Sequence, residues 1–176
     1  MEALGITLRG RFPLAWQSLT APLADSVQSA NEALLHSLNL LEETTVEGTV
    51  SADERPELIQ IETRLNLLID MVGELLGRLG NRPPECSVEL ASTSVVWQGD
   101  SLPPVGETVE LTLWPHSHLP RPLRLSGQVV SADQGRCRVE LDDPGEWVRD
   151  GLERLIFRHH RREVARQRAT LQADGG

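Results

Sequence analysis

The sequence predicts an α+β fold, mainly β, in which a small barrel or sandwich carries long helices. Three observations lead there. Residues 58 to 79 place an apolar side chain at alternating steps of three and four, two further segments have helical spacing, and the chain beyond Pro84 alternates apolar and polar residues in short runs divided by turn residues. Several short strands at close spacing point to a small barrel or a sandwich.

Residues 4 to 17, LGITLRGRFPLAWQ, alternate Ile6, Leu8, Phe12, Leu14 and Trp16 with polar neighbours, a strand signal. Pro13 cannot donate to a ladder, so it predicts an edge or a bulge there. Thr20 followed by Pro22 reads as a helix start, and Leu23, Val27, Ala30, Leu34, Leu38 and Leu41 recur at helical spacing, giving a helix over about 21–43 that should pack on the heptad helix.

After a break at 44 to 50, Ser51 and Glu54 have the spacing of a capping box and Pro56 fits a first turn, so a second helix spans about 54–80. Its stripe is Leu58, Ile61, Leu65, Leu68, Val72, Leu75 and Leu79, the a and d positions of three heptads. Ile69, Leu76 and Met71 flank that stripe, making the apolar face too wide for a two-stranded seam, and four strands are favoured. A helix of this length runs on the order of 40 Å, longer than a small domain needs. The alternative is a core helix packed within its own chain.

Gly80, Asn81, Pro83 and Pro84 end that helix. Strands are predicted at Ser87 to Trp97, Glu107 to Trp114, Leu123 to Ala132 and Arg136 to Leu141, with a turn at Gln134 and Gly135. Asp142 or Asp143 caps a last helix over roughly Gly145 to Leu171, with Val148, Leu152, Leu155, Ile156 and Val164 on one face. Its basic half holds Arg158, Arg161, Arg162, Arg166 and Arg168. These are read either as a solvated face favoured by the helix dipole or as a docking surface for an anionic protein partner.

The net charge of −9 is uneven: residues 1 to 150 hold 11 Arg against 23 acids, while the remainder is basic, with 6 Arg against 3 acids. An acidic body argues against a nucleic-acid surface. No apolar run approaches the roughly 18 residues that span a bilayer and no signal peptide opens the chain, so neither membrane insertion nor export is expected and the location is read as cytoplasmic. Cys86 and Cys137 form no metal motif and read as buried free thiols. His116 and His118 lie among prolines with no third ligand, and His159 and His160 are adjacent on a helix and read as surface residues. Trp16, Trp97, Trp114 and Trp147 are read as core and rim packing. With no phosphate loop, nucleophile elbow or zinc motif, no enzyme, metal or cofactor is expected.

The order VGETVELTLWP, LRLSGQVVSAD, GRCRVELDD and then LERLIFRHHRREVARQR resembles the later part of a PilZ domain, across residues 86 to about 168. The resemblance implies a six-stranded β-barrel followed by a helix, in a family of which many members bind cyclic di-GMP. It is similar to the subset with two long helices inserted after the first strand, one heptad-bearing, that assembles as a tetramer. The implied organisation is a first strand region at 1–19, a helical oligomerisation segment at 20–80, and the rest of the barrel with its helix at 81–176.

The family's paired arginines would fall on LRGRFPL, which offers Arg9 and Arg11 at the wrong spacing. Its Asp/Asn-x-Ser-x-x-Gly motif would fall on LASTSV, where only Ser92 is kept and Leu90 and Val95 replace the acid and the glycine. Leu90 cannot accept a hydrogen bond, and a polar base edge left unpaired beside it costs about 1 to 3 kcal/mol. The resemblance therefore implies a non-catalytic homotetrameric adaptor that has lost its usual nucleotide contacts. A cyclic di-GMP receptor with a rearranged site is the alternative.

Overall fold

The computed structural model describes residues 6–46, 82–116 and 121–173, and, of the stretch between, residues 60, 61, 63–65, 67, 68, 71, 72 and 75; side chains are described through 40 in the first segment and through 165 in the last. Six antiparallel strands close into a barrel in the order β1-β2-β3-β6-β5-β4. They are β1 (Leu8–Ser18), β2 (Glu85–Leu90), β3 (Ser94–Gln98), β4 (Thr108–Leu113), β5 (Leu123–Asp133) and β6 (Arg136–Leu141). Two helices flank it, α1 (Asp25–Val46) and α2 (Glu146–Ala173), and the described residues between 60 and 75 are helical as well.

Closure depends on the long strand β1. Leu8 to Pro13 pair with β2, whereas Leu14 to Ser18 pair with β4. Pro13 sits where the partner changes, so its missing N–H leaves no ladder bond unmade, and its carbonyl accepts from the Trp114 N–H at 3.1 Å. The predicted edge or bulge is thus a barrel corner. Strand β5 makes the matching corner at Gly127, its first residue paired with β6, where a Cβ would lie 2.2 Å from the Glu140 carbonyl oxygen. The β5–β6 hairpin closes through Gln134 (φ 50°) and Gly135 (φ 74°), the pair of left-handed residues that a tight two-residue turn requires.

The stretch expected as one strand, Ser87 to Trp97, is two. It breaks at Ala91–Thr93, and the Ala91 N–H donates to the Ser94 carbonyl at 2.8 Å. Without Gly or Pro the break had only Ser and Thr to mark it, whose hydroxyls favour turns weakly. Helix α1 starts at Asp25, not near Ala21; Pro22, Leu23 and Ala24 precede it outside any helix or strand.

The barrel interior is filled by period-two side chains, among them Leu8, Val88, Leu90, Val95, Trp97, Leu111, Val129 and Val139, all at most 3% exposed. Each such burial is worth about 1.5–3 kcal/mol for the larger side chains. Val148, Leu152, Leu155 and Ile156 of α2 and Leu34, Leu35 and Leu38 of α1 extend the same core. Helix α1 packs on α2. Gln28 reaches the Pro144 carbonyl, Leu35 faces Gly151 and the Asn39 carbonyl meets Arg158, so the two helices ascend side by side in one direction.

The entry to α2 is held by Asp143, whose Oδ1 accepts from the Gly145 N–H at 2.9 Å and from Arg149 Nη2 at 2.6 Å. These bonds keep its carboxyl below the ordinary carboxylate range. Gly145 itself adopts φ 84°. Trp147 departs from the reading of all four tryptophans as packed residues, being 76% exposed on the first turn of α2. Trp97 is buried, and Trp16 donates to the Ser101 carbonyl at 3.1 Å. His159, read as a surface residue, is half-buried, with a buried Nδ1 that has no hydrogen-bond partner among the described residues.

A candidate ligand cleft and an exposed helical stripe

Strand register dictates which side chains share the outer wall of the barrel. Arg9 of β1 stands opposite Glu89 of β2, Glu89 opposite Val96 of β3, and Val96 opposite Arg138 of β6. Inward neighbours one residue on, Leu8, Leu90, Val95 and Val139, form a core layer. The row therefore carries charge on the outside of the barrel. Glu89 is shared, accepting from Arg136 Nη2 at 3.3 Å while Arg9 Nη2 lies 4.0 Å from its other oxygen.

Between this wall and α2 lies a cleft of about 970 Å³. The β2–β3 turn, including Ser92, closes one side; Val96, Arg136 and Arg138 form the barrel wall; Glu153, Arg154, Ile156 and Phe157 form the helix wall; and Ile6 and Thr7 complete it. Phe157 is half-exposed, with the Arg161 guanidinium 6.0 Å from its ring centroid. The guanidiniums of Arg138 and Arg154 make no hydrogen bond or ion pair with any described residue.

The residues expected at a ligand site are only partly brought together. Ser92 lines the cleft, and Arg9 adjoins it through Glu89. Arg11 does not line it and is taken up by Glu85, donating to its carbonyl at 3.1 Å with the carboxylate 4.0 Å away. Leu90 and Val95, at the positions where an acid and a glycine were sought, point into the core at 0% and 1% exposure. Arg136, Arg138 and Arg154 were not singled out from the sequence. A signal existed in RCR, because residues two apart on a strand share a face and Cys137 between them is apolar in character.

A second cleft, about 530 Å³, lies between α1, β5 and the segment leading into α2. Its polar groups are largely committed: Asn31 to the Arg124 backbone, Gln28 to Pro144 and Asp143 to Arg149. Among the described residues no three of His, Cys, Asp and Glu gather as a metal site, and no helix is long and apolar enough to cross a membrane.

The basic half of α2 is less available than its sequence implies. Arg158 is tied to the Asn39 carbonyl within α1, and Arg161 to Phe157; the side chains of Arg166 and Arg168 lie outside the described residues. Arg162 also has a partner. The heptad stripe is the opposite case. Ile61, Leu65, Leu68, Val72 and Leu75 are 60%, 55%, 57%, 52% and 57% exposed, and Leu67 and Met71 are equally bare. Leu58 and Leu79 lie outside the described residues, as do Ile69 and Leu76.

A family model described as an atypical PilZ domain, cyclic di-GMP receptor, matches residues 35–169. The chain belongs to the atypical PilZ family. This PilZ chain is also similar to a solved structure from Xanthomonas campestris, described as a pathogenic protein with a new tetrameric PilZ domain self-assembled via an unusual helical bundle. The TM-score is 0.74 at 23% identity, over 93% of each chain. At that identity the likeness establishes the shared fold, a PilZ-like closed barrel with its helices. No curated protein matches the chain.

Proposed function

We propose that this PilZ protein is a non-catalytic adaptor of the cytoplasm that self-assembles through its heptad helix and presents its barrels to a protein partner. The observation that carries this reading is the bare stripe: five a and d residues, each more than half exposed in one chain. A contiguous apolar face of that kind calls for a covering surface. Burying each side chain contributes about 1.5–3 kcal/mol, enough in sum to offset the entropy of association.

With Leu67 and Met71 also bare, the face is wide, and a second copy on each side suits it better than a single partner. That the Xanthomonas protein is described as tetrameric through a helical bundle supports four copies here. In this reading residues 20–80 form the assembly segment between β1 and β2, and four barrels act with the avidity that linked sites provide. Light scattering of the full chain should give about four times 19.5 kDa, and Leu68→Asp, which buries charge in the stripe, should give smaller species. A single-chain mass for the unsubstituted protein at micromolar concentration would sink the reading.

Cyclic di-GMP is not expected to bind by the usual contacts, since Leu90 and Val95 face the core and Arg11 is held by Glu85. A receptor with a rearranged site is the second reading, favoured by the guanidiniums of Arg138 and Arg154 beside Ser92, which have no partner among the described residues. Calorimetric titration separates the two. Micromolar binding that is lost in Arg138→Ala supports the receptor, and no heat supports the adaptor.

A further inference from the structure

We infer that the cleft between the barrel wall and α2 is the adaptor's partner site, and that it takes an acidic peptide with an apolar anchor. This rests on the adaptor reading and names the surface and the chemistry of its partner.

Two observations combine. In a chain of net charge −9, Arg138 on β6 and Arg154 on α2 face one cleft from opposite walls, and neither has a partner among the described residues. The cleft's carboxylates do not engage them, since Glu89 serves Arg136 and Arg9 and Glu153 forms no ion pair among the described residues, so both guanidiniums are left to bind a ligand carboxylate through two parallel N–H donors. Beside them Phe157 and Ile6 are 49% and 46% exposed, so an aliphatic or aromatic side chain laid between the charges would cover surface that the chain leaves bare.

The barrel wall offers a purine edge little. Its one carboxylate, Glu89, already serves Arg136 and Arg9, and Leu90 is turned inward. The wall is a set of donors, which matches side-chain carboxylates. On the helix wall Glu153 has no ion pair among the described residues and is left to accept from peptide N–H groups.

The test uses the full-length protein and short fluorescein-labelled peptides that alternate Glu with Leu or Phe, read by fluorescence polarisation at modest salt. Matched peptides with Gln for Glu are the control. The Glu peptides should bind, the Gln peptides should bind at least about tenfold more weakly, and Arg138→Ala with Arg154→Ala should cost a similar factor, with part of the loss recovered by Lys at both positions. Circular dichroism melts of each variant confirm folding. Equal binding of Glu and Gln peptides, indifference to the two substitutions, or binding of cyclic di-GMP with no peptide binding would each overturn the inference. Light scattering on the same samples keeps the two readings apart: a tetramer that ignores every peptide removes the partner site alone, and a single chain that binds removes assembly alone.

Discussion

Asn31 and Arg124 pair as residues on neighbouring strands do, although one partner is a helix side chain. Asn31 Nδ2 donates to the Arg124 carbonyl at 2.7 Å, and the Arg124 N–H donates to Asn31 Oδ1 at 3.0 Å. The register explains the need. Strand β5 meets β6 only from Gly127 onward, so the backbone of Arg124 has no ladder partner on that side. The amide of α1 replaces the missing strand and fixes the helix to the barrel.

Asn31→Ala should therefore destabilise the protein by about 2 kcal/mol, since Asn31 is 4% exposed and its loss removes the partner of both the Arg124 N–H and the Arg124 carbonyl. Asn31→Asp keeps the acceptor but loses the donor and sets a carboxylate against the Arg124 carbonyl, so it should not recover the loss. Urea unfolding of both variants checks this; equal midpoints for Asn31→Ala and the unsubstituted protein would show that water satisfies Arg124 instead.

Glu110 faces outward from β4 yet is 3% exposed, covered by Arg124 and Gln17. Burial alone would raise its carboxyl. Hydrogen bonds from Arg124 and from Gln17 (2.9 Å), with the Arg124 charge, outweigh that and hold it below its ordinary 4.5. A carboxyl lowered by folding contributes stability that is complete above its unfolded pKa and is lost as pH falls through the folded value. Glu110→Gln should cost about 2 kcal/mol at neutral pH. That difference should shrink as pH falls below 4.5, measured by unfolding both proteins across the acid range.

Gly151 of α2 lies close against Leu35 of α1. A Cβ there would lie 2.9 Å from the Leu35 Cβ and 3.1 Å from its Cδ1. Gly151→Ala gains about 1 kcal/mol of helix propensity, but overpacking against a stiff Cβ costs about 1–3 kcal/mol. The net change should be a loss, and a double-mutant cycle with Leu35→Gly, which removes the crowded Cβ, should show a combined loss smaller than the sum. Additive losses would mean that the helices simply move apart.

Much of the barrel was legible because its strands are period-two runs bounded by Gly and Pro, as at Gln134–Gly135. What was not legible is physical. The Ala91–Thr93 turn lacks a strong breaker, and the change of partner at Pro13 depends on closure, which no local pattern contains. The cleft was missed for the same reason. Arg138 and Arg154 are 16 positions apart and become a pair of walls only when α2 folds over β6. Conversely, the arginines of the C-terminal run were legible as charge but not as tethers: the role of Arg158 depends on the Asn39 carbonyl, remote in sequence. The heptad stripe was fully written in the sequence, and its five described residues are bare.

Glu89 is the brake on the cleft's charge. Its carboxylate sits between Arg9 and Arg136 on a surface where those guanidiniums are 57% and 55% exposed, so the pairs contribute little to stability, within about 1 kcal/mol. Their effect on ligands is larger, because a neutralised pair offers an approaching anion almost no field, whereas two released arginines add to Arg138 and Arg154. Glu89→Ala should leave the melting temperature nearly unchanged and strengthen binding of the Glu-containing peptides several-fold at low salt, the gain fading as ionic strength rises. If cyclic di-GMP gains affinity instead and the peptides do not, the cleft's positive field selects phosphates and the receptor reading takes precedence. If neither ligand responds, Arg9 and Arg136 point away from whatever the cleft holds, and its specificity rests on Arg138 and Arg154 alone.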